Sequence, residues 1–206
     1  MITRARAVQL PSWAGKPVEA ELGGWPVVTH FEAATGACGV GLTDLSHRPK
    51  AIAQAQGIDT HFALTPGRAK WDGQSLIACP KPAHAIIFDL NGAIEPQWPD
   101  STYTDMTEGW VLLGIWGPEA LGMMQRLITV DLEPRTFNEP LYVATGSHGI
   151  RVQVINLRTQ SPGFIIACAR SHGQNLFEAC LRAGTQLNLK ITGTDDFYGW
   201  LANDCK

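Results

Sequence analysis

WVLLGIWGPEALGMMQRLITVDL, residues 110–132, begins as a continuous apolar run and continues as a helical pattern. The run from Trp110 to Trp116 carries no charge and is bounded by Gly109 and Gly117, which suits a strand. Pro118 then fits a first helical position, and Leu121, Met124, Leu127 and Ile128 recur on one face of the helix that follows. After a loop holding two prolines, Ile150–Asn156 and Gly163–Ala169 read as strands joined by the turn RTQSPG. Ser171 is placed to cap SHGQNLFEACLRAG, whose Leu176, Phe177, Cys180 and Leu181 line one face and whose Gly184 is the stop signal. TQLNLKIT alternates, with Leu187, Leu189 and Ile191 on one side. The expected succession from Trp110 onward is strand, helix, strand, strand, helix, strand, an α+β arrangement of the split βαβ or ferredoxin-like kind. Such a sheet leaves a second apolar face, which the N-terminal half is expected to cover.

That N-terminal half is less regular. Its first forty residues are rich in Gly, Pro and Trp (LPSWAGKP, ELGGWPVV) and read as an irregular arm packed on a later core, with a short helix expected around Thr29–Gly36. A second helical segment is expected at Asp59–Leu64, a turn at TPGRAKWDG, and a strand at His84–Leu90 ended by Asn91-Gly92. The polar, Pro-bearing stretch from Ala93 to Gly109 reads as a loop or linker. One domain over 1–206 is expected, with a subdivision into 1–100 and 101–206.

Composition narrows the function classes. The chain has 206 residues, 45% of them hydrophobic and 17% charged, with a formal net charge of -3. This is ordinary globular composition. Lysines and arginines are scattered, so no basic stripe meets a nucleic-acid backbone. No run of 18 apolar residues and no signal-peptide h-region is present, and the chain reads as a cytoplasmic, soluble protein without membrane partners. Five cysteines without a C-x-x-C pair read as reduced, buried thiols, and six dispersed histidines imply no metal site.

The chemistry concentrates in GVGLTDLSHRPK, Gly39–Lys50, which sets Asp44, Ser46, His47 and Lys50 close together. A nucleophilic triad is disfavoured, because adjacent Ser46 and His47 diverge in an extended segment and no G-x-S-x-G elbow is present. An Asp-x-Ser segment that caps itself at a tight turn is the structural alternative, and a polar binding loop is a third. The glycines of GACGVG do not have dinucleotide-binding spacing, and no phosphate-loop lysine follows them. Asp89, which ends a strand beside Asn91, reads first as a turn residue.

GGWPVV, residues 23–28, followed by TGACGVGLTDLSHRPKAIAQAQGID resembles the N-terminal signature of the glycine-cleavage T-protein (aminomethyltransferase) superfamily. The shared positions are Gly39, Gly41, Leu42, Asp44, Ser46, His47 and Lys50. PGRAKW, residues 66–71, is similar to the family's P-G-x-A-x-Y segment. WVLLGIWGPEALGMMQRLITVDLEPRTFNEP resembles its strand, Gly-Pro, helix and D-L element, and CARSHGQNLFEACLRAG is similar to a segment of the sarcosine oxidase gamma subunits, a short branch of the superfamily.

The resemblance implies a folate-binding type of domain in one-carbon metabolism, with tetrahydrofolate as the cofactor. In complete enzymes a positioned carboxylate holds the reacting amine. Here the Asp-Asp pair is missing between Trp71 and Phe88, and the family's R-T-G-Y-T-G-E segment is reduced to RTQSPG, which keeps Arg158 and Thr159 and loses the acid. The C-terminal barrel domain of full-length enzymes is not expected. Asp44, Ser46, His47, Lys50, Asp89 and Arg158 are the candidate ligand-binding residues. Two functions follow from the resemblance. One is a non-catalytic subunit or binding module that docks on a larger oxidase or methyl-transfer chain or on itself; the other is a tetrahydrofolate-binding transferase that acts with a partner chain.

Overall fold

A computed structural model describes residues 4–32, 38–91, 102–132 and 140–204. In chain order the strands and helices are β1 (Pro17–Leu22), β2 (Trp25–Phe31), β3 (Val40–Asp44), β4 (Lys50–Gln54), α1 (Ile58–His61), β5 (Arg68–Asp72), β6 (Ser75–Cys79), β7 (His84–Asp89), β8 (Tyr103–Asp105), β9 (Trp110–Trp116), α2 (Ala120–Leu127), β10 (Leu141–Ser147), β11 (Ile150–Asn156), β12 (Gly163–Ala169), α3 (Gly173–Gly184), β13 (Leu189–Thr192) and α4 (Thr194–Asp204). Eleven strands join in one sheet in the order β13-β3-β9-β12-β11-β10-β5-β6-β7-β4-β8, while β1 and β2 form a hairpin of their own. The β13–β3 pair is parallel and every other described pair is antiparallel. Strands from both sides of residue 100 share the sheet, with β3 beside β9 and β5 beside β10.

The apolar run 110–116 forms β9, and its composition is explained by two buried faces. Val111, Leu113 and Ile115 point toward α2 and α3, packing with Val152, Val154, Phe164 and Phe177. Trp110 and Leu112 point the other way, toward Ile155, Ile165 and Phe197 of α4. A smaller apolar layer gathers Ile58, Phe62, Ile77, Cys79 and Ile87. No helix of the described residues is long and apolar enough to cross a membrane.

Several elements differ from the sequence expectation. The N-terminal stretch is not irregular throughout: Gly23 and Gly24, at φ 58° and 80°, make the two-residue turn that joins β1 and β2, a connection whose twist suits paired strands. Thr29–Phe31 therefore belongs to β2 and not to a helix, and the rest of that expected helix lies largely outside the described residues. The second expected helix is the single turn α1, stopped before Ala63 at φ 50°. TPGRAKWDG turns only at its two ends; Arg68–Asp72 between them pairs as β5, and Gly73 opens the turn to β6. The expected linker holds β8, which pairs with β4, and its residues 93–101 lie outside the described set.

In the second half Pro118 precedes α2, which starts at Ala120, and Met123 is fully buried where Leu121 only packs at the margin. Ser171 sits in a 3-10 turn, and His172 directly precedes α3. Leu187 lies before β13 begins. Strand β10 fills what reads as loop, so the succession is strand, helix, three strands, helix, strand and then α4. Strand β3 also stands between β13 and β9, where an unmodified ferredoxin-like sheet would pair those two directly. Helix α4 starts with the Gly193 N–H donating to Asp196 Oδ2 at 3.0 Å, one half of a capping box, and Asp195 and Asp196 complement the positive end of its dipole.

Two glycines make room for a tryptophan stack that ties α4 to the sheet. Gly41 and Gly163 both lie opposite Trp116, and Trp116 stacks on Trp200 at 5.6 Å between ring centroids. A Cβ on Gly41 would sit 2.2 Å from the Trp116 ring, and one on Gly163 would sit 2.1 Å from the Trp200 ring. Gly41→Ala and Gly163→Ala are each expected to cost about 1–3 kcal/mol by overpacking. Urea unfolding checks this, and unchanged midpoints would show that the indoles yield freely.

Candidate functional site

The Gly39–Lys50 stretch folds as the end of β3, a tight turn and the start of β4. Asp44 Oδ1 accepts the Ser46 N–H at 2.9 Å, and the Arg48 N–H closes on Leu45 O at 2.9 Å. Ser46 Oγ accepts the Leu112 N–H at 3.0 Å and donates to Leu112 O at 3.4 Å. The hydroxyl is thus held on both sides by the backbone of β9. Lys50 is fully buried, and its Nζ donates to Ser46 O at 2.8 Å and to Arg48 O at 2.7 Å. The ammonium threads back under the turn and satisfies carbonyls that no strand or helix would pair.

Burial sets the electrostatics of this cluster. It pulls Lys50 down to about 7, opposed by the Asp44 and Asp105 carboxylates. It pulls His47 down to about 3, helped by the charges of Arg48 and Lys50. Asp44 is pushed up by burial, against its hydrogen bonds with Ser46 and the pull of Lys50 and Arg6. Asp44, Ser46 and His47 line a cavity of about 20 Å³ beneath the N-terminal arm, together with Arg6, Val8, Trp25 and Val27. That volume holds one water-sized molecule. It is too small for a substrate.

Asp89 joins the same turn from β7. The Arg48 Nε donates to Asp89 O at 3.0 Å, and the Arg48 guanidinium lies 3.9 Å from the Asp89 carboxylate, both side chains being nearly buried. Arg158 lies apart, in the turn after β11, at φ 58° with its N–H donating to Asn156 Oδ1 at 3.0 Å. Its Nε and Nη1 are buried without a hydrogen-bond partner. Burial and the neighbouring Arg68 charge lower its pKa. Five of the six candidate residues therefore meet around one turn, and Arg158 does not join them.

A cleft of ligand size lies elsewhere. It measures about 520 Å³ and is lined by Trp71 and Gly73 of the β5–β6 hairpin, Asn91 after β7, and Tyr198, Leu201 and Ala202 of α4. The Tyr198 hydroxyl donates to Leu90 O at 2.7 Å, which fixes its ring in the lining. Two aromatic side chains and an amide suit a planar, hydrogen-bonding ring. None of the described lining residues is acidic, so no carboxylate is placed there to meet a cationic amine. Tyr198 and Leu201 are not apparent in the sequence as site residues, because α4 shows little helical periodicity, and Asn91 reads there only as a turn residue. Trp71 is visible there within PGRAKW.

Among the described residues no group of three His, Cys, Asp or Glu side chains is arranged to hold a metal. Cys79, Cys168 and Cys180 are free and buried, Cys38 is free and half-buried, and Cys205 lies outside the described residues.

No family model and no curated protein sequence matches the chain. Solved structures do. A chain of the heterotetrameric sarcosine oxidase from Corynebacterium sp. U-96, in complex with pyrrole 2-carboxylate, superposes with a TM-score of 0.59 at 15% identity, over 72% of this chain and 85% of that one. The glycine cleavage system aminomethyltransferase T from Bartonella henselae superposes with a TM-score of 0.61 at 14% identity, over 88% of this chain. The match spans 57% of that longer protein. At such identities the likeness is one of fold, and it agrees with the resemblance carried by TGACGVGLTDLSHRPK: this chain has an aminomethyltransferase-like fold built on one large, mostly antiparallel sheet.

Proposed function

We propose that the chain is a non-catalytic, aminomethyltransferase-like subunit of one-carbon metabolism, acting in the cytoplasm as a single domain bound to a larger oxidase or methyl-transfer chain. The observation that carries this reading is the use made of the titratable cluster. Asp44, Ser46 and Lys50 are engaged in holding a turn, and the ligand-sized cleft has no acid among its described lining residues. Chemistry on an amine needs a positioned base or counter-charge, and the cleft offers an aromatic surface instead. The heterotetramer named among the structural matches supports a place in a complex, and the matched chain is itself short, since the alignment spans a larger share of it than of this one. The C-terminal half is a ferredoxin-like unit into which β3 is intercalated.

A second reading, a tetrahydrofolate-binding transferase completed by a partner chain, is favoured by the size of the cleft and by Trp71 and Tyr198 in its lining. Calorimetry on the intact protein separates the two. The subunit reading expects no saturable tetrahydrofolate binding in the micromolar range. Micromolar affinity that falls roughly 2- to 10-fold in Trp71→Ala, the loss expected for one aromatic contact, would replace it with the second.

A further inference from the structure

Among the described residues strand β1 has a neighbour on one side only. It pairs with β2, and no other described strand joins that sheet. The register determines which residues face the open side. Leu22 pairs with Trp25 across the two-residue turn, which makes them a hydrogen-bonded pair, and Glu21 lies opposite Pro26, which has no N–H to donate. Bonded and non-bonded pairs alternate in an antiparallel ladder, so Glu21 and, two residues back, Glu19 turn their N–H and C=O groups away from β2. The open edge thus presents two donors and two acceptors, flanked by two exposed carboxylates. A groove of about 280 Å³ on this hairpin is lined by Glu19, Ala20 and Glu21 of β1 and by Gly24 and Pro26 across the turn. Trp13, four residues before the strand, is 61% exposed and is the one large hydrophobic side chain in the open among the described residues.

Charge selects the occupant. A second copy paired edge to edge about a two-fold axis would set Glu19 and Glu21 against their own equivalents, and like charges across a strand pair are destabilising. A cationic segment reverses that sign. The molecule already shows the preference at Glu19, where the Arg6 guanidinium lies on the carboxylate, and Glu21 is the exposed carboxylate left to meet a cation of the occupant. We propose that the open edge of β1 docks an extended, lysine- or arginine-bearing segment of the partner subunit by strand addition, with Trp13 covering its apolar residues. This deepens the subunit reading by naming its docking surface, and it rests on that reading for the partner being another chain.

The test titrates the intact protein with a soluble peptide of about ten residues alternating lysine and valine, and with its glutamate-for-lysine counterpart; hydrogen exchange at β1 and tryptophan fluorescence are followed. The expected result is saturable binding of the lysine peptide with slowed exchange at Glu19 and Glu21, and at least tenfold weaker binding of the glutamate peptide. Glu21→Lys and Trp13→Ser, both at exposed positions, are each expected to weaken the lysine peptide severalfold while leaving the melting temperature unchanged. Equal binding of both peptides, no saturable binding, or binding without protection at Glu19 and Glu21 overturns the proposal. So does a dimer in sedimentation that Trp13→Ser abolishes, because a second copy would then occupy the edge. Micromolar folate binding would remove the subunit reading and leave the peptide result standing, so the two fail separately.

Discussion

Replacing Lys50 by methionine is expected to lower the unfolding free energy by roughly 2–6 kcal/mol, because two buried carbonyls lose their donor at about 1–3 kcal/mol each. Methionine fills a similar volume, so the loss reports the hydrogen bonds to Ser46 O and Arg48 O and not a cavity. The loss is a large share of a typical net stability of about 5–15 kcal/mol. Its pH dependence follows from linkage. The Lys50 pKa falls from 10.5 to about 7 on folding. Between those values the unfolded chain binds a proton that the folded chain does not, so this group makes stability rise with pH from about 7 upward. The window closes near pH 10, where Tyr142 and Tyr198, both pushed up to about 12 by burial, begin to act. The deficit of Lys50→Met should therefore be greater at pH 9 than at pH 6. Urea midpoints at the two values measure it, and a deficit that stays constant or shrinks would refute the role given to Lys50.

Acid is expected to weaken the fold through His47. Its pKa drops from 6.5 to about 3 on burial. The unfolded state takes up a proton below about pH 6.5 while the folded state stays neutral, so stability falls as pH falls across that window. The slope approaches about 1.4 kcal/mol per pH unit. Asp44 works in the opposite sense, because burial raises its pKa and protonating it in the acid range relieves a buried charge. The Arg48 and Lys50 charges that face His47 keep it neutral and strengthen the effect. His47→Gln removes the His47 contribution alone. Its melting temperature should fall less than that of the parent between pH 7 and pH 4, and an identical fall in both would exclude His47 as the source.

The strands β9, β11 and β12 and the helix α3 are legible in the sequence for one physical reason. Each carries enough apolar side chains, at the right period, to be identified without knowing its neighbours. The β1–β2 hairpin is hidden because its Gly-Gly turn and Pro26 look like the markers of an irregular segment, although the same residues suit a tight turn and a one-sided ladder. Strand β10 is hidden by prolines before it and by half-exposed residues along it. Helix α4 is hidden because its apolar contacts, Phe197, Leu201 and the Trp200 stack, are spread among polar and glycine positions. The cleft depends on α4, so it is hidden with it.

TDLSHRPK shows the same division at the scale of a site. The sequence by itself determined that Asp44 and Ser46 would favour a self-capped turn, since an Asp side chain reaches the N–H two residues on whatever surrounds it. It determined too, through its resemblance, the kind of fold to which that turn belongs. Only the tertiary structure decided that the turn is clamped to Leu112, that Arg48 reaches Asp89, and that Lys50 lies in full burial beneath it. Burial and pKa are set by groups brought together from distant parts of the chain. A local pattern of residue types carries no record of them until the sheet has closed around it.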